Sequence, residues 1–181
     1  MKHLITEIES NLVGSNYLSA LTLTLTLPEI CGKIAFPKKS PEQRYNKWYN
    51  KYVYEPMPKT DSDYIRQIYY SSEVIYALRR TILHEEDAVE ATKKVRKKLG
   101  LKNYQSFNFV LTKSTSSYSK QFRGSNTHKK PDVFIEIGVK SFCEKVCAAA
   151  KDFYNETKKD KNIYENLIVY ESLTGDETVE H

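Results

Sequence analysis

Leu18-Ser19-Ala20-Leu21-Thr22-Leu23-Thr24-Leu25-Thr26-Leu27 is the stretch on which the fold class turns. Leucine and threonine alternate strictly from Leu21 onward, and a β-branched residue at every second place is the pattern of a strand. Leu18, Leu21 and Leu25, with Leu27 nearby, fit one face of a helix almost as well. Local pattern leaves both open. As a strand the segment would put a sheet near the N-terminus, and as a helix it would join a bundle.

The flanks are helical. Leu4, Ile5, Ile8 and Leu12 share one helix face, and Gly14-Ser15-Asn16 interrupts it, with Ser15 or Asn16 able to cap the next element. Downstream, residues 37–41 form a linker, and Ser40-Pro41-Glu42-Gln43 has the form of a helix start. Ser40 sits at the cap, Pro41 at the first position and Gln43 three residues after the cap. That helix runs through Tyr45, Trp48, Tyr49 and Tyr52 until Pro56-Met57-Pro58 ends it. A long helix capped by Thr60 or Asp61 then reaches about His84, with Tyr64, Ile65, Ile68, Ser72, Ile75, Ile82 and Leu83 as its apolar stripe. A Lys-rich helix comes after Asp87 and stops at Gly100.

Beyond Gly100 the period changes. Phe107, Phe109 and Leu111 alternate with polar residues, and Val133, Ile135 and Ile137 do the same, so each set reads as a strand. Phe107 and Phe109 either stack on bases or form a sheet's buried face. The Ser-, Thr- and Lys-rich stretch 114–128 between them reads as a loop. From Ser141 a helical stripe of Phe142, Val146, Ala149, Ala150 and Phe153 resumes. A final strand is expected at 167–170 and an acidic tail at 174–181.

A hydrophobic fraction of 40% and a charged fraction of 28% are those of a globular protein, and 181 residues suffice for one real core. No uninterrupted apolar run approaches the roughly 18 residues of a membrane helix, and Glu7 comes too early for a signal peptide. A soluble, cytoplasmic protein without membrane contact is the expectation. Cys31, Cys143 and Cys147 are odd in number and lack disulfide-framework spacing. Cys143 and Cys147 share a helix face but have no companion ligands, so buried thiols are expected and neither metal nor cofactor.

The net charge of +5 is sharply segregated. Residues 91–130 hold eleven Lys or Arg and no acid, so the rest of the chain carries −6. Lys93, Lys94, Arg96, Lys97 and Lys98 concentrate this charge on the Lys-rich helix. A basic block of this kind is a candidate phosphate-binding surface, because neutralising phosphates releases counterions. A solvated helix face is the alternative.

One cation is out of place. At 100° per residue Arg79 falls on the apolar face with Ile75 and Ile82, while Arg80 points to solvent. A guanidinium there is costly unless it is paired or reaches a wet site. Glu85 is too far around the helix to pair with it, so the partner is a carboxylate on another helix or an anionic ligand. His84 lies near the helix's C-terminal end, where a cation interacts favourably with the helix dipole. His3, His128 and His181 have no evident partners in the sequence.

Arg79-x-x-x-x-His84 resembles the Arg-x4–6-His signature of the HEPN domain (higher eukaryotes and prokaryotes nucleotide-binding), an α-helical group that includes metal-independent endoribonucleases. Over most of its length the chain also resembles an uncharacterised bacterial group. That group pairs a leucine-rich segment ending in Leu-Pro-x-Ile-Cys-Gly, here 27–32, with an Ala-Leu-Arg-x-x-x-Leu-His-Glu stretch, here 77–85, and Ser141-Phe142-Cys143-Glu144 recurs late. This resemblance selects the helix for 18–30. It implies an endoribonuclease in which His84 moves a proton and Arg79 clamps the phosphate oxygens, without a metal. A spacing of five sets the two side chains about 140° apart on one helix. The family therefore implies a face-to-face homodimer with both motifs at its interface.

The expectation is an α+β protein. A HEPN-like helical bundle over 1–87 precedes a basic α+β part over 88–173, packed on it as one unit, with a small antiparallel sheet and a long C-terminal helix. Either Arg79 and His84 cleave RNA, or the Lys-rich segment 91–130 binds nucleic acid or protein without catalysis.

Overall fold

The computed structural model describes residues 1–55, 70–83, 88–98, 107–113, 120–123 and 132–157. Its N-terminal part is helical: α1 (Lys2–Val13), α2 (Tyr17–Thr24), α3 (Leu27–Ala35) and α4 (Pro41–Tyr49), the last continuing into a π-helical turn (Asn50–Tyr54). Then come α5 (Ser72–Leu83), α6 (Ala88–Lys98), β1 (Phe107–Thr112), β2 (Lys120–Arg123), β3 (Asp132–Gly138) and α7 (Val139–Thr157).

The Leu/Thr stretch is helical, and its threonines explain how. Thr22 and Thr24 donate their hydroxyls to the carbonyls of Leu18 and Ala20 at 2.8 and 2.7 Å, and Thr26 donates to Leu23 at 2.7 Å. Back-bonding of this kind satisfies the hydroxyl inside the helix. Thr24 can thus be fully buried beside Leu21, Leu25 and Leu27. The stretch 17–35 is long and apolar enough by composition to cross a membrane. In the fold it breaks between α2 and α3 and contributes to the core.

The start of α4 agrees with the sequence, whereas at α2 Asn16 holds the cap position without a side-chain cap hydrogen bond. Ser15, in the break after α1, takes a left-handed backbone (φ 60°). At α4 the capping box is complete. Ser40 Oγ accepts from the Gln43 amide, and Gln43 Oε1 accepts from the Ser40 amide, both at 3.4 Å.

One core cluster runs from Ile5 to Phe153 and joins the helices to the sheet. Trp48, Tyr45 and Tyr49 are its largest fully buried side chains. Phe153 of α7 meets Trp48 and Tyr52 edge-on at 6.0 and 5.1 Å. α7 therefore lies against α1, α2, α3 and the π-helical turn, as a member of the bundle, rather than on the sheet alone.

The sheet is mixed, not antiparallel as expected. Its order is β1-β3-β2, with β1 parallel to β3 (Phe107↔Val133 to Thr112↔Gly138) and β2 antiparallel to β3 (Lys120↔Ile135 to Arg123↔Asp132). The reason lies in 114–128, read from sequence as loop, which contains β2. Two strands joined by one loop return antiparallel by default. Inserting β2 reverses the chain once more, so β3 enters between its neighbours parallel to β1.

Two further expectations change. Tyr70 forms a turn and Ser71 a bend, so the helix carrying Arg79 begins at Ser72. Buried Tyr70 instead donates its hydroxyl to the Glu136 carbonyl in β3 at 3.3 Å. Arg80, expected to point to solvent, is half-buried because α6 packs on that side of α5. Phe109 packs against the core, the buried-face alternative of the two for that residue. The Pro56-Met57-Pro58 stop, the cap at Thr60 or Asp61, His84, the strand at 167–170 and the tail at 174–181 lie outside the described residues.

Candidate functional site

Arg79 sits on the inner side of α5, where α4 packs, and its guanidinium meets an acid from α3. Arg79 Nη2 lies 2.5 Å from Glu29 Oε2, and the other carboxylate oxygen, Glu29 Oε1, accepts from Arg44 Nη2 at 3.1 Å. One carboxylate thus serves two guanidiniums and ties three helices together. The Arg44 and Arg79 side chains are only 17% and 16% exposed, against 27% for Glu29, so the cluster is partly desolvated. Two aromatic rings complete the cage. The Arg79 guanidinium carbon lies 5.9 Å from the ring centres of both Tyr45 and Tyr76, which themselves meet edge-to-face at 5.1 Å.

Burial sets the electrostatics of the cluster. Desolvation pushes the Tyr45 phenol far above its ordinary value, opposed by the neighbouring Arg79. The Tyr76 phenol is raised for the same first reason, again opposed by Arg79. Three buried polar atoms of the cluster, Arg44 Nε, Arg79 Nε and Tyr45 Oη, have no hydrogen-bond partner among the described residues.

Glu29 and Arg44 escaped the sequence reading. The signal was half present. Arg79 on an apolar face demanded an anion, and Glu29 is an acid in the first turn of the mostly apolar α3. What brings Arg44 to it is Gly32. A Cβ there would stand 2.5 Å from the Arg44 carbonyl oxygen, so only glycine lets α3 and α4 approach so closely.

The basic residues lie elsewhere, on α6. Lys93, Lys94 and Lys97 are exposed, Arg96 is half-buried, Lys93 and Arg96 are both engaged in interactions of their own, and Val95 is buried at 4%. At 100° per residue Lys93 and Lys97 lie about 160° from Val95, which anchors the helix to the core, and Lys94 lies about 100° from it. The Lys98 side chain lies outside the described residues. Among the described residues, no group of three or more His, Cys, Asp or Glu side chains converges as a metal would require.

A cleft of about 130 Å³ separates this helix from α4 and α5. Its polar wall is Glu42 and Asn46 from α4, Glu73, Tyr76 and Arg80 from α5, and Lys94 from α6, over an apolar floor of Ala77 and Val95. Asn46 Oδ1 is buried there with no hydrogen-bond partner among the described residues.

The chain matches no family model, no curated protein and no solved structure. Geometry alone must therefore rank the candidate residues. It separates Arg79, enclosed by its own chain, from Lys93, Lys94 and Lys97 of α6, which are exposed.

Proposed function

We propose that the chain binds single-stranded RNA through the lysine face of α6. The observation that carries this is the exposure of Lys93, Lys94 and Lys97 on the helix that Val95 anchors, in a forty-residue window without an acid. Phosphates supply most of the affinity in such an interface, and an ammonium on a long stem suits them as a point charge. The test replaces Lys93, Lys94, Lys97 and Lys98 together by Gln and monitors a fluorescent single-stranded RNA at low salt. Affinity should fall about tenfold or more, because each lost phosphate contact weakens binding across all sequences. Unchanged affinity would overturn the proposal.

A second reading makes the protein a metal-independent endoribonuclease, with Arg79 and His84 at the scissile phosphate across a homodimer. One observation favours it: two guanidiniums share one carboxylate, so the cluster keeps a net positive charge that an anion would complement. It ranks second because a phosphate would have to displace Glu29 from Arg79 and part the rings of Tyr45 and Tyr76. Its test is RNA degradation by the intact protein, abolished in the Arg79→Ala/His84→Ala pair. No degradation by the intact protein would end this reading and leave the first standing.

A further inference from the structure

We propose that the corner between α3 and α4 is a second contact for the bound strand, where a base stacks on Phe36 and lysines hold the flanking phosphates. The proposal rests on the RNA-binding function above and extends it to residues outside α6.

Residues 36–51 carry Lys38, Lys39, Arg44, Lys47 and Lys51 against a single acid, Glu42. The four lysines are exposed, whereas Arg44 is taken by Glu29 and Glu42 lines the cleft. The backbone gathers the corner. The Phe36 amide donates to the Gly32 carbonyl at 2.8 Å, and the Lys39 amide donates to the Phe36 carbonyl at 3.0 Å. Lys47 reaches the same place from α4, its ammonium 5.7 Å from the centre of the Phe36 ring. At 100° per residue Lys47 lies about 160° from both Tyr45 and Tyr49, which are buried, so it stands on the outer side of α4.

The ring decides which anion fits. Phe36 packs against the core, yet the exposed Lys47 stands over it, so part of the ring opens to the surface. A cation over an aromatic face contributes little at an exposed site and is readily exchanged. A base offers a flat face in its place, and the displaced ammonium turns to the neighbouring phosphate. An acidic peptide gains nothing from the ring. A cationic track beside an aromatic platform is the combination that holds single strands, with little regard to sequence, because every base has a face to stack.

The corner also adjoins the α6 surface. Asn46, next to Lys47, lines the same cleft as Lys94, so the lysines of α4 and α6 stand on either side of it. A strand crossing the cleft meets both.

The experiment uses a labelled oligo-uridine of about 20 nucleotides, longer than the roughly 4–16 that one single-strand module covers. It compares the intact protein with Lys39→Gln/Lys47→Gln/Lys51→Gln, with Phe36→Leu and Phe36→Tyr, and with the fourfold α6 variant. The three lysines are exposed, so their variant retains the fold. It should lose affinity about tenfold and flatten the salt slope by about 2, at roughly 0.7 per phosphate. Phe36→Leu should weaken binding about fivefold without changing the slope, and Phe36→Tyr should restore it, since stacking needs the ring and not the charge. Unchanged affinity in the triple lysine variant overturns the corner, and the α6 variant then tests the first proposal separately. Equal binding by Phe36→Leu and Phe36→Tyr would mark a polyanion surface indifferent to bases and also overturns it. Failure of the intact protein to bind the strand overturns both proposals.

Discussion

Arg79 and Glu29, fifty residues apart, meet at 2.5 Å, and that contact locks α5 to α3. The guanidinium on the oily side of α5 has its anion within the chain. Because Arg44 takes the other oxygen of the same carboxylate, the three charges are unequal partners. Removing Glu29 strands two half-desolvated cations, whereas removing Arg79 leaves Glu29 still paired.

That asymmetry gives the first prediction. Exposed pairs contribute roughly 0–1 kcal/mol and breaking a buried pair costs roughly 3–5 kcal/mol, so Glu29→Gln should cost about 2 kcal/mol in urea unfolding. Arg79→Met should cost clearly less, since a hydrophobic stem of similar length can fill the cage between Tyr45 and Tyr76. A double-mutant cycle should give a coupling energy above about 0.5 kcal/mol, as neighbours in one charge network do. Unaltered stability in Arg79→Met, with loss of RNA degradation, would return Arg79 to a catalytic role.

Gly32→Ala is expected to destabilise the protein despite alanine's better helix propensity. The added methyl would stand 2.5 Å from the Arg44 carbonyl oxygen and 2.8 Å from its carbon, both backbone atoms that cannot swing aside. Overpacking costs roughly 1–3 kcal/mol, against a propensity gain of roughly 1 kcal/mol. A chain of this length should then lose about 2–4 °C in Tm for each net kcal/mol. Separation of α3 from α4 should also weaken the Glu29–Arg79 coupling measured above. An equal or higher Tm would mean that the two helices part at no cost.

These two cases show what the sequence made legible. The demand for an anion was readable from Arg79's place on the stripe, but its supplier was not, because the pairing depends on how α3, α4 and α5 cross. The α4 start was readable because all its bonds lie within four residues of Ser40. β2 was hidden because Lys120-Gln121-Phe122-Arg123 has one apolar residue and no alternation to detect. With β2 unseen, the direction of β3 could only be misjudged. Of the candidate residues, the lysine face of α6 was plain in composition, while the cleft beneath it, lined from three helices, had no local signature.

Salt dependence gives a third prediction. For single strands, log affinity falls with log salt at a slope of about −0.7 per neutralised phosphate. If each of the four α6 lysines at 93, 94, 97 and 98 neutralises one phosphate, the fourfold Gln variant should flatten the slope by about 3. A titration from low to physiological salt measures it directly. Equal slopes in the intact and variant proteins would place the phosphates elsewhere.

The fourth prediction concerns the three thiols and alkaline pH. Burial pushes Cys31 and Cys147 up to about 12, and Cys143 up to about 11 against the opposing influence of the nearby Thr24 hydroxyl. A thiolate is the reactive form, so iodoacetamide at pH 8 should label none of them in the folded protein and all three in urea. The sign for stability is fixed by the same shifts. The folded state holds these protons more tightly than the unfolded chain, whose thiols titrate near 9.0. Their contribution is therefore fully present below pH 9 and is lost as pH rises toward 11 and 12. Buried Tyr45, also raised, adds to the loss above pH 10. The urea midpoint should accordingly drop between pH 8 and pH 10.5, and Cys147→Ala should make that drop shallower by removing one titrating group. Native-state labelling at the unfolded rate, or a midpoint constant over this range, would show that the thiols reach water, and with them the seam where α7 meets α1, α2 and α3.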